Sequence, residues 1–169
     1  GKVALLVVDG LSLDQWLVIR NVLNSTSKQL IFREKTVFAW VPSLTSISRQ
    51  AAFSGKAPVF FPNSIYTTEK ENALWLQFWA DQGLAQNEVT YIKGLGDDNL
   101  EDVEELISRP KSRVAGLVID KVDRILHGME LGSAGMHNQL DQWVRQSYLK
   151  NLLELLLDHD FRVYLTSDH

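Results

Sequence analysis

Two short, continuously apolar runs constrain the fold of this chain more than any other feature. Residues 3–8 and residues 114–119 are rich in β-branched side chains and too short for helices of ordinary length. Such runs are typical of strands buried on both faces, which occur mainly in parallel sheets covered by helices. Segments with helical periodicity, the first at residues 13–23, alternate with these strands. The sequence therefore predicts a doubly wound, mainly parallel α/β sheet with helices on both faces.

Weaker patterns between these runs predict the remaining elements. We expect further strands at residues 36–41, 89–92 and 162–166, and helices at residues 46–53, 69–81, 99–107 and 139–157. Ser12 is the expected N-cap of the first helix. Residues 56–68 are expected to form a surface connection, and the glycines of residues 128–138 predict a flexible loop near the site. Since no repeat or linker interrupts this alternation, we expect a single domain over residues 1–169.

Composition excludes several classes of function. The 169 residues, 45% of them hydrophobic, can bury a sizeable core, whereas the net charge of -4 argues against a broad basic surface for nucleic acid. The absence of cysteine excludes disulfides and thiolate metal sites, so a metal would need aspartate, glutamate, histidine or hydroxyl ligands. No apolar run in the sequence is long enough to span a membrane. A cytoplasmic location is compatible with this composition and is the expected one.

Acidic residues follow the first and the last predicted strands. Asp9 ends the first apolar run, and Asp168 ends the last one with His169 beside it. Asp9 precedes a glycine, and a simple turn aspartate is the alternative interpretation of that residue. Two acids from separate strand ends can, however, converge on one ion. We therefore expect Asp9, Asp168 and His169 to lie roughly 4–5 Å apart, within reach of one metal.

A second aspartate and histidine follow the strand at residues 114–119. Asp123 and His127 are four residues apart, so in a helix they share a face and suit joint coordination. An exposed pair with this spacing is more often a solvated helix face, and Asp120 competes for the same role. A mixed set of carboxylate and imidazole ligands favours zinc or manganese over calcium.

Thr45 is the candidate hydroxyl nucleophile. It lies at the start of a segment with helical periodicity, where N-capping by Ser43, Thr45 or Ser46 is the alternative explanation. A helix N-terminus can also stabilise phosphate oxygens through its free N–H groups, and a metal ion would lower the pKa of the hydroxyl. Arg49, one helical turn further on, would face either solvent or an anion.

Four motifs carry these candidates in a fixed order. They are Leu-Leu-Val-Val-Asp9-Gly10, then Pro42-Ser-Leu-Thr45 with Ser54-Gly55, then Val-Ile-Asp120-Lys-Val-Asp123 with His127, and finally Leu-Thr-Ser-Asp168-His169. Taken together they resemble the alkaline phosphatase superfamily, and the PglZ domain in particular. The nucleophilic threonine of that family follows a proline by three residues and precedes a Ser/Thr-Gly pair by nine, and Thr45 meets both spacings.

The resemblance implies a site with two divalent metal ions, most simply two zinc ions, with manganese as the alternative. It places four residues around one ion, namely Asp9, Thr45, Asp168 and His169. It assigns Asp123 and His127 to the second ion, whose site the family usually completes with a histidine beyond the Ser-Asp-His motif. This sequence ends at that motif. We therefore expect a C-terminally truncated core from a larger protein, with at most one well-occupied metal and little activity by itself.

The resemblance also bears on the substrate. Diesterases of the superfamily carry an asparagine three residues after the nucleophile, where this chain has Ser48, so its contact with phosphate is left open. The Cys/Ser-x-Pro-x-Arg motif that sulfatases need is absent from the sequence, which disfavours cleavage of sulfate esters. Ser48 and Arg49 remain the candidate substrate contacts.

The function implied is metal-dependent hydrolysis of a phosphate ester, a diester rather than a monoester, by in-line attack of Thr45. A nucleotide is one candidate substrate. The family further implies a role in bacterial signalling or phage defence, with other domains of the parent protein as partners. Two alternatives stay open, a non-catalytic interaction module that keeps the fold and at most one metal, and a nucleotide-binding α/β domain without catalysis.

Overall fold

A computed structural model describes residues 1–39, 41–97, 100–128 and 132–169, with the backbone alone at residues 132–134, 136 and 137. The strands in these ranges are β1 (Lys2–Val8), β2 (Val89–Leu95), β3 (Val114–Ile119) and β4 (Phe161–Ser167). The helices are α1 (Leu13–Thr26), α2 (Thr45–Ser54), α3 (Glu71–Asp81), α4 (Leu100–Ile107), α5 (Lys121–His127), α6 (Gly132–Arg145) and α7 (Tyr148–Asp158). Short 3-10 turns occur at Pro58–Phe60, Pro62–Ser64 and Gln86–Glu88.

The strands form one open parallel sheet in the order β2-β3-β1-β4. The first strand is central, and its last residue, Val8, is paired with Ile119 on one side and Ser167 on the other. The carboxyl ends of these three strands therefore lie side by side. This register brings the residues that follow β1 and β4 to the same edge of the sheet, where ligands bind in open α/β folds.

Helices cover both faces of the sheet, as the apolar strands predict. Alternate residues of β1 point to opposite faces: Leu6 packs in the larger core, whereas Val7 packs with Phe53 and Trp75 in the smaller one. The larger core is formed with α1, α4, α5, α6 and α7, and the smaller one with α2 and α3. The doubly wound α/β class is therefore confirmed.

The strand predicted at residues 36–41 is wrong. Residues 36–39 and 41 belong to no regular element, and the side chains of Val37 and Phe38 are almost fully exposed. Trp40 lies outside the described residues. Their apolar and β-branched side chains favour a strand locally, but a strand also needs a hydrogen-bonded neighbour, and this segment pairs with none of the strands described.

The predictions for residues 128–157 also need correction. The expected loop is helical from residue 132 onward, while residues 129–131 lie outside the described part of the chain. Leu140 and Trp143 bury the second half of α6 in the larger core, which offsets the low helix propensity of its glycines. The single helix predicted at residues 139–157 is instead α6 and α7, separated at Ser147, whose φ of 69° is left-handed.

None of the described helices combines the length and the apolar character needed to cross a membrane.

Candidate metal and nucleophile site

Three potential metal ligands converge at the carboxyl edge of the sheet. Asp9 follows β1, Asp168 follows β4, and His169 is adjacent to Asp168. Both carboxylates are buried, at 5% and 3% exposure, whereas the histidine is exposed. One ligand atom from each of the three residues lies within 4.8 Å of the others. The structure thus contains the convergence that the strand ends predict, although ion binding itself stays a prediction.

Gly10 makes the turn after β1 and brings α5 close to this edge. Its φ of 72° is left-handed, a conformation that favours glycine. A Cβ atom here would lie 3.2 Å from Leu126 Cδ1 and 3.3 Å from Asp123 Oδ1. The backbone N–H of Gly10 donates a hydrogen bond to Asp168 Oδ1 over 2.9 Å. The Asp-Gly pair therefore combines a tight turn, a link between two strand ends and a close approach to Asp123.

Thr45 faces the same cluster from the start of α2. Its Oγ1 lies 3.4 Å from Asp9 Oδ1 and 3.2 Å from His169 Nε2. The N-cap position belongs to Leu44, and Ser46 Oγ donates to a distant backbone carbonyl over 2.6 Å. The N-capping explanation of the Thr45 hydroxyl is therefore wrong, and the hydroxyl contacts potential ligands instead.

The far end of α2 explains the second half of the threonine motif. Gly55 has a φ of 62° and donates its N–H to Ala51 O over 2.9 Å, which ends the helix in the left-handed conformation. A Cβ atom at this position would lie 2.9 Å from Phe78 Cε2 on α3. The glycine therefore allows α2 and α3 to pack closely, and this packing fixes the position of the helix that carries Thr45.

Arg49 lies one turn after Thr45 and is buried at 5% exposure. It faces neither solvent nor an open anion site, because Nη1 donates to Asp9 Oδ2 over 2.9 Å and Nη2 to Glu71 Oε2 over 2.6 Å. Ser48 Oγ is buried and has no hydrogen-bond partner among the described residues. Direct contact of Ser48 or Arg49 with a substrate therefore stays a prediction.

Glu71 contacts the site but was not predicted from the sequence. This glutamate is fully buried although it is in the first turn of a helix, where acidic residues are usually solvated. A signal was present, because Glu71 precedes Trp75 by four residues and therefore shares the apolar face of α3. Tyr91 on β2 donates its hydroxyl to Glu71 Oε2 over 2.5 Å and was not predicted either.

The second predicted metal pair is near the first cluster but remains open to solvent. His127 Nε2 lies 3.3 Å from Asp123 Oδ1, and the histidine side chain is 81% exposed. Asp120 is the N-cap of α5 and lies 3.0 Å from Arg124 Nη2. Among the described residues, the three-ligand cluster contains neither Asp123 nor His127. A second metal there therefore stays a prediction.

The charges of the buried cluster fit a divalent cation. When ionised, the carboxylates of Asp9, Asp168 and Glu71 carry three negative charges against the single positive charge of Arg49, which leaves two uncompensated. Asp168 Oδ2 is buried without a hydrogen-bond partner in the described structure. Burial raises the pKa of Asp168 to about 6, and the hydrogen bond and charge of Asp9 add to the effect. An oxygen-rich, partly unsatisfied anionic site is what a hard or borderline cation requires.

Comparison with known families agrees with the fold and the motifs. Residues 1–169 match the family described as BREX system PglZ alkaline phosphatase-like domain. Comparison with curated proteins gives no match. Because the match covers the whole sequence, the chain belongs to the PglZ family of alkaline phosphatase-like domains.

Proposed function

We propose that this chain carries the catalytic site of a metal-dependent phosphoric ester hydrolase with Thr45 as its nucleophile. The observation that supports it most directly is the position of the Thr45 hydroxyl, 3.4 Å from Asp9 Oδ1 and 3.2 Å from His169 Nε2. A hydroxyl next to a cluster of metal ligands is the arrangement that activates a weak oxygen nucleophile.

Asp9, Asp168 and His169 would hold the first ion, and their mixed oxygen and nitrogen donors suit zinc or manganese. Asp123 and His127 would contribute to a second ion on the same edge of the sheet. When bound, such ions lower the pKa of a coordinated hydroxyl and neutralise charge on phosphate oxygens. The excess negative charge of the buried carboxylates is the second support for this assignment.

Thr45 and water can carry out the remaining steps. The Thr45 oxygen would attack phosphorus in line while its proton passes to water. The bond to the leaving oxygen would break, and that oxygen would take a proton from water. Water would then cleave the phosphothreonine and restore the hydroxyl. Thr45 is the first residue of α2. Within that helix, Ile47 is the first residue whose N–H has a hydrogen-bond partner in the described structure, the carbonyl oxygen of Leu44. The N–H groups of Thr45 and Ser46 are thus suited to stabilise phosphate oxygens.

The direct test is metal titration followed by a turnover assay. We expect the 169-residue chain to bind one zinc or manganese ion tightly, because one cluster in its described part offers three ligands. The assay compares a chromogenic phosphodiester with the corresponding monoester, and we expect weak turnover that favours the diester. Two tightly bound ions with fast turnover would show that our account of the second site is wrong. Failure to bind any divalent ion would reject the proposed function.

Metal affinity should fall at acidic pH. Burial raises the pKa of Asp168 to about 6, so the carboxyl is largely deprotonated at neutral pH. Below about pH 6 it is mostly protonated and must lose a proton before it can bind a metal ion. This one group should therefore weaken zinc binding by up to about tenfold per pH unit below about pH 6, and not above it. Competition titrations across this range measure the effect. An affinity that stays constant down to about pH 5 would contradict a role for Asp168 as a ligand.

One observation favours a second candidate, a non-catalytic interaction module. Arg49 already neutralises one oxygen of Asp9, as it would in a purely structural ion pair. Metal titration and the turnover assay together separate the two candidates, because an ion-free site, or one bound ion without turnover, would favour the interaction module.

We further propose that the protein acts in the cytoplasm, in bacterial signalling or phage defence, with other domains of the parent protein as its partners.

A further inference from the structure

A buried series of side chains runs from the metal cluster to β2. Arg49 bridges two carboxylates, with Nη1 on Asp9 Oδ2 and Nη2 on Glu71 Oε2. Tyr91 donates its hydroxyl to the same oxygen of Glu71. Glu71 is fully buried and its side chain accepts only from these two donors among the described residues. The orientation of Arg49 therefore depends on Glu71, and that of Glu71 depends on Tyr91.

Two members of this series, Tyr91 and Arg49, keep their protons. Burial raises the pKa of Tyr91 above its ordinary value, and the hydrogen bond to Glu71 and the charge of Glu71 add to the effect, so the phenol stays a donor. Burial alone would lower the pKa of Arg49, but the hydrogen bond and charge of Glu71, with the charge of Asp9, raise it above its ordinary value. Arg49 therefore stays positively charged and Tyr91 stays neutral.

The series fixes the orientation of the Asp9 carboxylate and leaves one of its oxygens available to an ion. Oδ2 accepts from Arg49, whereas Oδ1 faces the Thr45 hydroxyl. Since Thr45 and Arg49 are four residues apart on α2, one face of this helix contacts both oxygens of the same carboxylate. Turning the carboxylate plane away from this position would break the hydrogen bond to Arg49, so that bond favours an orientation with one oxygen toward Thr45.

We propose that Glu71 and Tyr91 are positioning residues that act through Arg49 to hold the Asp9 carboxylate with Oδ1 directed at Thr45 and the metal. The proposal rests on the proposed function, because it concerns the same site. Removal of a group that hydrogen-bonds to a metal ligand and orients it commonly lowers metal affinity by about 10–100-fold.

Stability of the fold alone explains these contacts poorly. A buried ion pair contributes little more to stability than apolar side chains of the same size, because desolvation offsets the charge attraction. The ring of Tyr91 is also held independently of its hydroxyl, by edge-to-face packing on Phe53 at 5.3 Å between ring centroids. The hydroxyl can therefore be removed while this packing is kept.

The test measures metal affinity in the full chain carrying Glu71→Gln, Tyr91→Phe or both. We expect zinc affinity to fall by about 10–100-fold in Glu71→Gln and by about 3–10-fold in Tyr91→Phe. In the double variant we expect no loss beyond that of Glu71→Gln, because Tyr91 acts through Glu71. The visible absorption spectrum of bound cobalt should change in each variant, since it reports the arrangement of the ligands around the ion.

Two variants serve as matched controls. Tyr66→Phe removes a hydroxyl from a tyrosine that is 89% exposed, and Glu88→Gln changes a glutamate paired with Arg113 at the opposite end of the sheet. Both should keep the zinc affinity and cobalt spectrum of the unmodified chain. Should Glu71→Gln fail to fold, the milder Tyr91→Phe carries the test by itself.

The outcomes distinguish the inference from the proposed function. Folded Glu71→Gln and Tyr91→Phe with unchanged affinity and spectrum would overturn the positioning role while leaving the metal site intact. Losses that add fully in the double variant would overturn the action of Tyr91 through Glu71. If the unmodified chain binds no divalent ion, the proposed function fails and the inference fails with it.

Discussion

Replacement of Thr45 by alanine is expected to lower phosphodiester turnover by roughly a thousandfold or more in any form of the protein that has measurable activity. Alanine removes the only oxygen of this side chain, which lies next to Asp9 Oδ1 and His169 Nε2. Without it, the covalent phosphothreonine cannot form. Any remaining turnover would come from direct attack by water.

Metal content and folding should change little in the Thr45→Ala protein. Asp9, Asp168 and His169 remain available as three ligands, and the N-cap of α2 is Leu44 rather than Thr45. Steady-state kinetics, metal analysis and thermal unfolding of the same preparation measure the three properties together. A loss of metal in parallel with activity would show that Thr45 acts mainly as a ligand.

Two further variants identify the nucleophile. Thr45→Ser keeps the hydroxyl and should retain a substantial part of the activity, whereas Ser43→Ala removes an exposed neighbouring hydroxyl and should retain all of it. Unchanged rates in Thr45→Ala would transfer the role to Ser43, Ser46 or a water molecule. Trapping of labelled phosphate on the unmodified chain, but not on Thr45→Ala, would identify the covalent intermediate directly.

The sequence predicts the central part of the fold well, because burial on both faces leaves a strong local signal. The apolar run that forms β3 is buried along its whole length, and the first run likewise forms the centre of the sheet. The order of the strands has no comparable local signal. The proximity of Asp9 and Asp168 depends on the pairing of β1 with β4, in which Val8 is opposite Ser167.

The missed parts of the site depend on contacts between distant residues. Arg49 and Glu71 are 22 positions apart, and their ion pair forms only because α2 and α3 pack on the same face of the sheet. A charged residue at a helix start is usually solvated, so propensity alone favours an exposed Glu71. The break between α6 and α7 has a similar cause, since the amphipathic pattern continues across Ser147 while the backbone turns there.

Replacement of Asp168 by asparagine is expected to abolish tight metal binding and, in metal-free protein, to increase the free energy of unfolding. The amide can keep the hydrogen bond from the Gly10 N–H, and its NH₂ group can donate to Asp9. What it removes is a buried negative charge beside another carboxylate. The variant therefore separates the contribution of Asp168 to the site from its contribution to the fold.

The sign and size of the stability change follow from the raised pKa. Burial raises the pKa of Asp168 from its ordinary value of 3.8 to about 6, so the folded state binds the proton more tightly. Its contribution to stability is fully present below about pH 4 and is lost as pH rises through about 6. At neutral pH the ionised group therefore destabilises the metal-free chain by about 3 kcal/mol, which asparagine should largely restore.

Urea unfolding in the presence of a chelator measures this difference. The stability gain of Asp168→Asn should be largest near about pH 7.5 and should shrink toward zero near about pH 4, where Asp168 is protonated. Asp81→Asn, at a side chain that is 49% exposed, is the matched control and should show little change at either pH. Lower stability of Asp168→Asn at neutral pH would mean that the carboxylate stabilises the metal-free fold, contrary to this interpretation.

Bound metal should make the unmodified chain more stable than Asp168→Asn, the reverse of the order expected without metal. An ion that binds the folded state stabilises it in proportion to the logarithm of its concentration over Kd, and only the unmodified chain keeps the full ligand set. With zinc at about a thousand times its Kd, this linkage contributes about 4 kcal/mol, enough to exceed the roughly 3 kcal/mol cost of the ionised Asp168. The unmodified chain should therefore be the less stable protein with chelator and the more stable one with zinc. That crossover is expected only if Asp168 binds the metal ion and does not stabilise the metal-free fold.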